Sequence, residues 1–339
     1  MKRNDGKKTI LLLGVLILAL VVAALAAMRL SGYLDGNEAN DSLYMGAIDY
    51  QRQNEAVYIN GEPYSPRSGI SSVLVIGVDT VGKAVGSDSY NNSEKADFLA
   101  LIVFDDKNEK FTVLHINRDT MADVPMLDIT GKEMGRLYTQ LAIAHTYGDG
   151  LTASCKNTVK AVSDYLYGVE IDNYISVTMD AVSRLNDYVG GVAVTIDDDM
   201  TAVDPSFVKG ATVTLLGDKA LAYVRARGAM EDSSNLARME RQKKYLAAFI
   251  DKLSDMNMTD SLLLGAYEQV AEYSVTDCDS SFISVLSEKI GKYTYAGAVS
   301  PKGDAVVGEK YMEFYADEED LTNLIISLFY DRTQEPAEN

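Results

Sequence analysis

Cysteine and histidine are scarce in this chain, with two of each: Cys155, Cys278, His115 and His145. No Cys/His cluster stands at metal-ligand spacing, which speaks against a structural or catalytic zinc site. An extracellular location would permit a Cys155–Cys278 disulfide, and nothing in their spacing demands one. No internal repeat is visible and no helix-turn-helix pattern. Basic charge is also in deficit. The 31 Lys and Arg stand against 50 Asp and Glu, a net charge of −19. The residues up to Arg29 are basic, with Lys2, Arg3, Lys7, Lys8 and Arg29 against Asp5 alone, so the remainder is more acidic still. Such a surface repels nucleic acid, so nucleic acid is not expected as a partner and a transcription-regulator reading is rejected. Most of these carboxylates serve solubility. With 47% hydrophobic residues, the 339-residue chain can bury a core and is not disordered.

The longest apolar run, residues 10–28, contains no charge. At about 1.5 Å rise per helical residue it crosses a hydrocarbon core of ~30 Å. Ala24-Leu25-Ala26 resembles a signal-peptide cleavage site, but the run exceeds the usual length of a signal-peptide core. No Cys follows it to carry a lipoprotein anchor. The reading is therefore one N-terminal transmembrane helix. The basic residues before it place residues 1–9 in the cytoplasm and the rest outside the cell. Residues 29–70, rich in Gly, Asn and Pro, read as an extracellular linker. Residues 71–331 read as the folded domain, and 332–339 as a disordered tail.

Within the domain, residues 73–78, 98–104 and 111–117 read as strands, with a hairpin turn over 105–110. Further on, helical and extended patterns alternate. Helices are expected over 141–147, 152–167, 181–189, 218–224, 234–256, 260–273, 280–292 and 318–330. Strands are expected over 174–178 and 192–196, and as a pair within 293–314 turning at Pro301-Lys302-Gly303-Asp304. Strands alternating with helices argue for an α/β layered domain.

Two sets of residues carry candidate chemistry. Asp79 closes the first strand, Asp97 opens the second, and Arg118-Asp119 follows the third. If the three strands form an antiparallel meander, all four residues converge at one edge of the sheet. Read singly, strand-end Asp residues cap turns. The second set is Arg225, Arg227, Arg238, Arg241, Gln242 and Tyr245. On a long helix, Arg238, Arg241, Gln242 and Tyr245 are expected on the face turned away from Leu246 and Leu253. Arg suits pyrophosphate because its planar fork donates to two oxygens at once. The competing reading is ordinary salt bridges with Glu231, Asp232 and Glu240.

Ordered segments across the chain resemble the LytR-CpsA-Psr family. They are Val73-Leu74-Val75-Ile76-Gly77-Val78-Asp79, Ala96-Asp97-Phe98-Leu99-Ala100-Leu101 and His115-Ile116-Asn117-Arg118-Asp119-Thr120. Then come Ala144-His145-Thr146-Tyr147-Gly148, Gly190-Gly191-Val192, Leu216-Gly217-Asp218-Lys219-Ala220-Leu221-Ala222-Tyr223-Val224-Arg225-Ala226-Arg227 and Arg238-Met239-Glu240-Arg241-Gln242. The resemblance implies a mixed central β-sheet flanked by helices, with a hydrophobic pocket for a prenyl tail. It implies a phosphotransferase that moves a glycopolymer phosphate from a polyprenyl-pyrophosphate-linked precursor to a peptidoglycan acceptor at the outer cell surface. It implies that Asp79 and Asp97 help hold Mg²⁺, and that Arg118, Arg225, Arg227 and Arg238 grip the pyrophosphate with Gln242 nearby. Arg241 is counted with that group. Asp97 and Asp119 are the candidates for accepting the acceptor's proton. The chain departs from the family pattern in carrying Lys95, Asn235 and Thr80-Val81-Gly82-Lys83 where relatives often carry Arg, Asp and Arg respectively. Lys95 and Asn235 favour one alternative, a non-catalytic lipid- or glycan-binding wall protein; the other is a polyprenyl-pyrophosphate hydrolase, in which the same site would deliver water instead of a sugar hydroxyl.

Overall fold

The computed structural model describes residues 57–59, 61–87, 92–226, 235–256, 265–266, 268–278 and 293–333. The anchor expected over 10–28, most of the linker, the helix expected over 280–292, the first part of that over 260–273, and the chain after residue 333 lie outside the described residues. Among the described residues no helix is long and apolar enough to cross a membrane.

Strands β1 (Val57–Ile59) and β2 (Glu62–Pro66) form a hairpin, followed by β3 (Ile70–Val78), β4 (Ala96–Asp105) and β5 (Lys110–Ile116). A second hairpin, β6 (Met121–Leu127) and β7 (Glu133–Gln140), leads through a 3-10 turn at Leu141–Thr146 into helix α1 (Thr152–Tyr165). Next come β8 (Asn173–Val177), α2 (Met179–Tyr188), β9 (Val192–Thr195), β10 (Thr212–Leu215), α3 (Asp218–Arg225) and the long α4 (Asn235–Asp255). A 3-10 turn at Ala271–Tyr273 precedes β11 (Ser274–Thr276). After it come β12 (Thr294–Val299), β13 (Gly303–Val307), β14 (Met312–Ala316), α5 (Glu318–Phe329) and β15 (Tyr330–Arg332).

The fold is a mixed α/β domain around a six-stranded sheet of order β11-β8-β3-β4-β5-β12. The meander expected from the order of the first three strands is present: β3, β4 and β5 pair antiparallel in succession. β8 and β12 run parallel to β3 and β5 on either side. Both faces of the sheet are covered, which explains why 73–78 is a continuous apolar run rather than an alternating one. Val73, Val75, Ala100, Ile102 and Val113 pack on one face with Ala181, Leu185, Val224, Tyr245 and Phe249 of α2, α3 and α4. Leu74, Ile76, Leu99, Leu101 and Leu114 pack on the other with Cys155 and Val162 of α1 and Leu321 and Ile325 of α5.

The structure departs from the sequence reading at several places, among them β10 and β11, which the sequence reading did not include. β1 and β2 fall inside the segment assigned to the linker, and Arg332, assigned to the tail, ends β15. β2 pairs with β15, so the two ends of the described chain close on each other. The strand pair expected to turn at 301–304 is not a hairpin: β12 joins the central sheet beside β5, and β13 pairs with β14. The β6–β7 hairpin was not anticipated, because Pro125 interrupts its donor pattern and β7 is mostly exposed. The two cysteines are buried and form no disulfide, with Cys155 Sγ beside His145 Nε2 at 3.8 Å and Cys278 Sγ beside the Tyr174 carbonyl at 3.8 Å.

Both histidines are buried. Burial pushes the His115 imidazole down to about 3, with Lys243 and Arg238 acting in the same direction. Burial likewise lowers His145 to about 4. The unfolded chain therefore takes up these protons first, and stability falls as pH drops from about 6.5 toward those folded-state values. Substituting His115→Gln and His145→Gln together should flatten the dependence of Tm on pH between about 6.5 and 5.5, above the range in which unperturbed carboxylates titrate. An acid slope as steep in the double variant as in the parent would show that other groups set it.

Candidate functional site

The site begins with a break in the β3–β4 ladder. Gly77 faces Phe98, yet the next pair is Val78 with Ala96, so Asp97 is the extra residue of a β-bulge. In a regular strand Ala96 and Phe98 would share a face. Here Ala96 packs in the core on the α1 side, while Phe98 packs against the core on the α2–α4 side. The bulge turns the Asp97 carboxylate out of the ladder and toward the edge of the sheet, a use bulges serve beside functional sites. Gly77 is required opposite it, since a Cβ there would lie 2.9 Å from Phe98 Cβ. The chain ahead of β4 is pinned from behind. Asn92 Nδ2 donates to the carbonyls of His145 and Gly148 and to Ser154 Oγ, and His145 Nδ1 sits 3.1 Å from the Glu94 carbonyl.

Charges converge on that bulge. The Arg118 guanidinium pairs with Asp97 through Nη1 and with Asp119 through Nε at 3.1 Å. Arg238, only 3% exposed, approaches Asp97 Oδ2 at 3.7 Å from α4. Asp79 is tied to the same turn: its Oδ1 accepts from Lys95 N at 2.8 Å, and its own N–H donates to the Lys95 carbonyl. A cleft of about 730 Å³ opens here, lined by Asp79, Lys95, Asp97, Arg118, Asp218, Arg225 and Arg238 together with apolar side chains of α3. Arg225, exposed at the end of α3, pairs with no carboxylate among the described residues. In a chain so acidic, four cations around one cleft mark an anion site.

A second cavity, of about 180 Å³, adjoins the cleft and runs between the sheet and helices α2, α3 and α4. Asp97, Leu221, Arg225 and Arg238 line both. Beyond that shared mouth the walls are almost wholly apolar, including Val75, Ala100, Ile102, Val182, Leu185, Leu246 and Phe249. Helix α4 supplies one wall with Arg238, Gln242, Tyr245, Leu246 and Phe249. These recur three and four apart, so they form one stripe whose character changes along its length, from guanidinium at the cleft to hydrocarbon inside. The expectation that Leu246 lies opposite the Arg238–Tyr245 face is thus corrected.

The structure sorts the residues singled out from sequence. Asp79, Asp97, Arg118, Arg225 and Arg238 share the cleft. Gln242 lines the apolar cavity and donates to the Val224 carbonyl at 3.4 Å. Asp119 is buried behind Arg118 and accepts from Gln140 Nε2 at 2.7 Å, so it positions the guanidinium and does not line the cleft. Arg241 turns inward to the Ala226 carbonyl at 2.6 Å, holding the end of α3 against α4. Arg227 lies outside the described residues, as do the side chain of Asn235 and the acids Glu231 and Asp232. Lys83 pairs with Glu272 at 2.8 Å and does not reach the cleft. Lys95 had been noted only as a departure and Asp218 only as a helix start. Their place in the cleft follows from the β3–β4 bulge and from the way α3 packs, which no local pattern reveals.

Among the described residues no group of three or more His, Cys, Asp or Glu side chains is arranged to hold a metal. Of the three carboxylates lining the cleft, Asp79 and Asp97 are oxygen donors of the kind Mg²⁺ takes, one or two per ion, with water and phosphate oxygens completing its octahedron.

Comparison with known proteins finds a family and a shared fold. The LytR_cpsA_psr family model matches residues 32–317. The polyisoprenyl-teichoic acid–peptidoglycan teichoic acid transferase TagU of Enterococcus faecalis is 25% identical over 328 residues, covering 95% of this chain and 96% of that protein. The corresponding transferase TagT of Bacillus subtilis is 28% identical over 283 residues, covering 80% and 77%. Among solved structures, TagT bound to LIIa-WTA superposes with a TM-score of 0.57 at 24% identity, covering 82% of this chain and 96% of that one. At that identity the likeness speaks for the fold.

Removing one partner from a buried charge cluster leaves the others uncompensated and costs about 3–5 kcal/mol. Asp97 is only partly buried and Arg118 keeps Asp119, so Asp97→Ala should lose less than this, about 1–3 kcal/mol, in urea unfolding. A loss below about 1 kcal/mol, the range of exposed pairs, would mean that the cluster is not closed as described.

Proposed function

The chain belongs to the LytR_cpsA_psr family, and on that premise we propose that it transfers a glycopolymer phosphate from a polyprenyl-pyrophosphate-linked precursor to peptidoglycan at the outer cell surface. One observation carries the reading: the arginine-lined cleft opens directly into an apolar cavity, with Asp97, Arg225 and Arg238 at the shared mouth. A ligand matching both must be an anion on a hydrocarbon tail. A polyprenyl pyrophosphate is such a molecule, with its tail against Leu185, Leu246 and Phe249 and its phosphates among Arg118, Arg225 and Arg238.

The chemistry asks little covalent work of the protein. The acceptor hydroxyl oxygen bonds to the phosphorus bearing the glycopolymer. The bond from that phosphorus to the bridging oxygen breaks, polyprenyl monophosphate leaves, and the hydroxyl proton passes to a carboxylate. Positioning and charge stabilisation dominate such transfers. The guanidinium groups stabilise charge on the phosphate oxygens and on the departing monophosphate. Of the two carboxylates considered for the proton, Asp97 opens to the cleft, whereas Asp119 is enclosed by Arg118 and Gln140. Asp79 and Asp97 would hold Mg²⁺, which would supply further charge neutralisation at the pyrophosphate.

The run over 10–28 would hold the protein in the membrane with its N-terminus inside and the domain outside. This is supported by its length and by the Lys/Arg asymmetry across it. The lipid carrier and the cavity then meet at the same membrane surface.

The test uses full-length protein in detergent with a lipid-linked glycopolymer and peptidoglycan. The wild type should join polymer to peptidoglycan in a Mg²⁺-dependent manner, and Arg118→Ala or Arg225→Ala should reduce turnover about a hundredfold or more. Release of polymer phosphate with none attached would identify a hydrolase instead. Lipid binding without turnover would identify a binding protein.

A further inference from the structure

The lipid cavity lies on one face of the sheet, and the opposite side of the cleft carries a surface that the lipid does not use. The end of β5 passes through Arg118 and Asp119 into β6, and β14 docks on that junction. Thr120 bridges Phe314 in parallel, and Phe314 N donates to the Asp119 carbonyl at 2.9 Å. Gln140 Nε2, at the end of β7, donates both to Asp119 Oδ1 and to the Met312 carbonyl, each at 2.7 Å. The two hairpins are thereby fixed to the residue that orients Arg118. β6 packs through Ala122 and Val124 into the core on the α1 side, the face opposite the cavity.

This fixed surface presents aromatic rings to solvent. Tyr138 is 56% exposed, Tyr315 41% and Tyr311 39%. Tyr138 stands two residues from Gln140 on the same face of β7. Tyr315 Oη donates to Glu313 Oε2 at 2.6 Å. That bond pushes the Tyr315 hydroxyl up to about 12, and the Tyr138 and Tyr311 hydroxyls are close enough to add to the effect. Glu313 and Tyr315 share a face of β14, Tyr311 directly precedes that strand, and the Gln140–Met312 bond brings the end of β7, with Tyr138, to the same place. Scattered exposed tyrosines need no explanation. A rigid cluster joined by hydrogen bonds to the reacting end of the sheet does.

We propose that Tyr138, Tyr311 and Tyr315, with Glu313, form a subsite for the sugar chain of the acceptor, reaching the cleft past Asp119 and Arg118. Pyranose rings offer flat C–H faces to aromatic rings and hydroxyls to a neighbouring carboxylate, and a tyrosine surface with a polar handle suits both. A lipid or a greasy peptide would desolvate the Glu313 carboxylate, which its one bond from Tyr315 offsets only in part. The placement also suits the displacement. With the lipid phosphate leaving toward the cavity on one face, the attacking hydroxyl must arrive from the opposite direction, and the tyrosine surface is attached to Asp119, on the side of Arg118 away from the cavity. The subsite rests on the transferase reading for its role, but its sugar binding stands separately.

The probe is a tetrasaccharide of alternating N-acetylglucosamine and N-acetylmuramic acid, titrated into the full chain and followed by calorimetry. Tyr138→Ala and Tyr315→Ala should each weaken binding at least about fivefold, the range of a single stacking contact. Tyr138→Phe and Tyr315→Phe should retain most of it, and affinity for the lipid pyrophosphate should not change. In a transfer assay the alanine variants should raise the acceptor KM with little change in kcat. Absence of tetrasaccharide binding by the wild type, or undiminished binding by folded alanine variants, overturns the subsite. Where an alanine variant does not fold, ring shifts of the wild-type tyrosines on titration decide in its place, and unmoved rings overturn the subsite. Tyrosine-dependent binding without any transfer would leave the subsite standing and remove the transferase reading. Transfer with an unaltered acceptor KM in folded alanine variants would do the reverse.

Discussion

A partly buried carboxylate held between guanidinium groups depends on having both of them in place. Each ion costs several kcal/mol, about, to desolvate, and only a complete set of partners offsets that cost. Asp97 is such a carboxylate, with Arg118 reaching it from the end of β5 and Arg238 from α4. Arg118 is in turn held by Asp119, and Asp119 by Gln140. The cluster thus ties the central sheet, the long helix and the β6–β7 hairpin to one point. It also sets where α4 can sit, because a shift of the helix would strip Arg238 of its partner. The cleft, the lipid cavity beneath α4 and the outer hairpins all take their positions from this junction.

The same junction explains why polar and apolar binding surfaces meet so closely. The bulge at Asp97 lets two neighbouring residues serve different surroundings: Phe98 joins the wall of the apolar cavity while Asp97 stands at its mouth. Helix α4 repeats the division along its axis, with Arg238 at the mouth and Phe249 deep inside. A site for an anion on a hydrocarbon tail needs this gradient. A uniformly polar cleft would reject the tail, and a uniformly apolar one would leave the phosphates unpaired.

Much of this was legible before any coordinates. The convergence of Asp79, Asp97 and Arg118 followed from strand order, because an antiparallel meander must bring those strand ends together. The arginines of α3 and α4 stood out against an acidic composition. What could not be read was decided by contacts distant in sequence. The alternation around Ala96-Asp97-Phe98 fits a regular strand as well as a bulged one, and only the β3 partner distinguishes them. Arg238 and Arg241 look equivalent on a helix, yet one faces the cleft and the other the Ala226 carbonyl, a difference set by how α3 packs. Asp119 carries the same chemistry as Asp97, but Gln140 and β14 close over it. β12 was read as half of a hairpin because its partner, β5, lies far back in the chain and runs parallel, a pairing that local turn signals do not report.

The central claim is that the guanidinium cleft and the apolar cavity are two halves of one ligand site. An experimental structure of the full chain with a bound polyprenyl pyrophosphate tests it most directly. The account predicts density for the prenyl chain between the sheet and helices α2 to α4, with the pyrophosphate within hydrogen-bond reach of Arg118, Arg225 and Arg238. A pyrophosphate bound away from Asp97, or a prenyl chain lying outside that cavity, would contradict it.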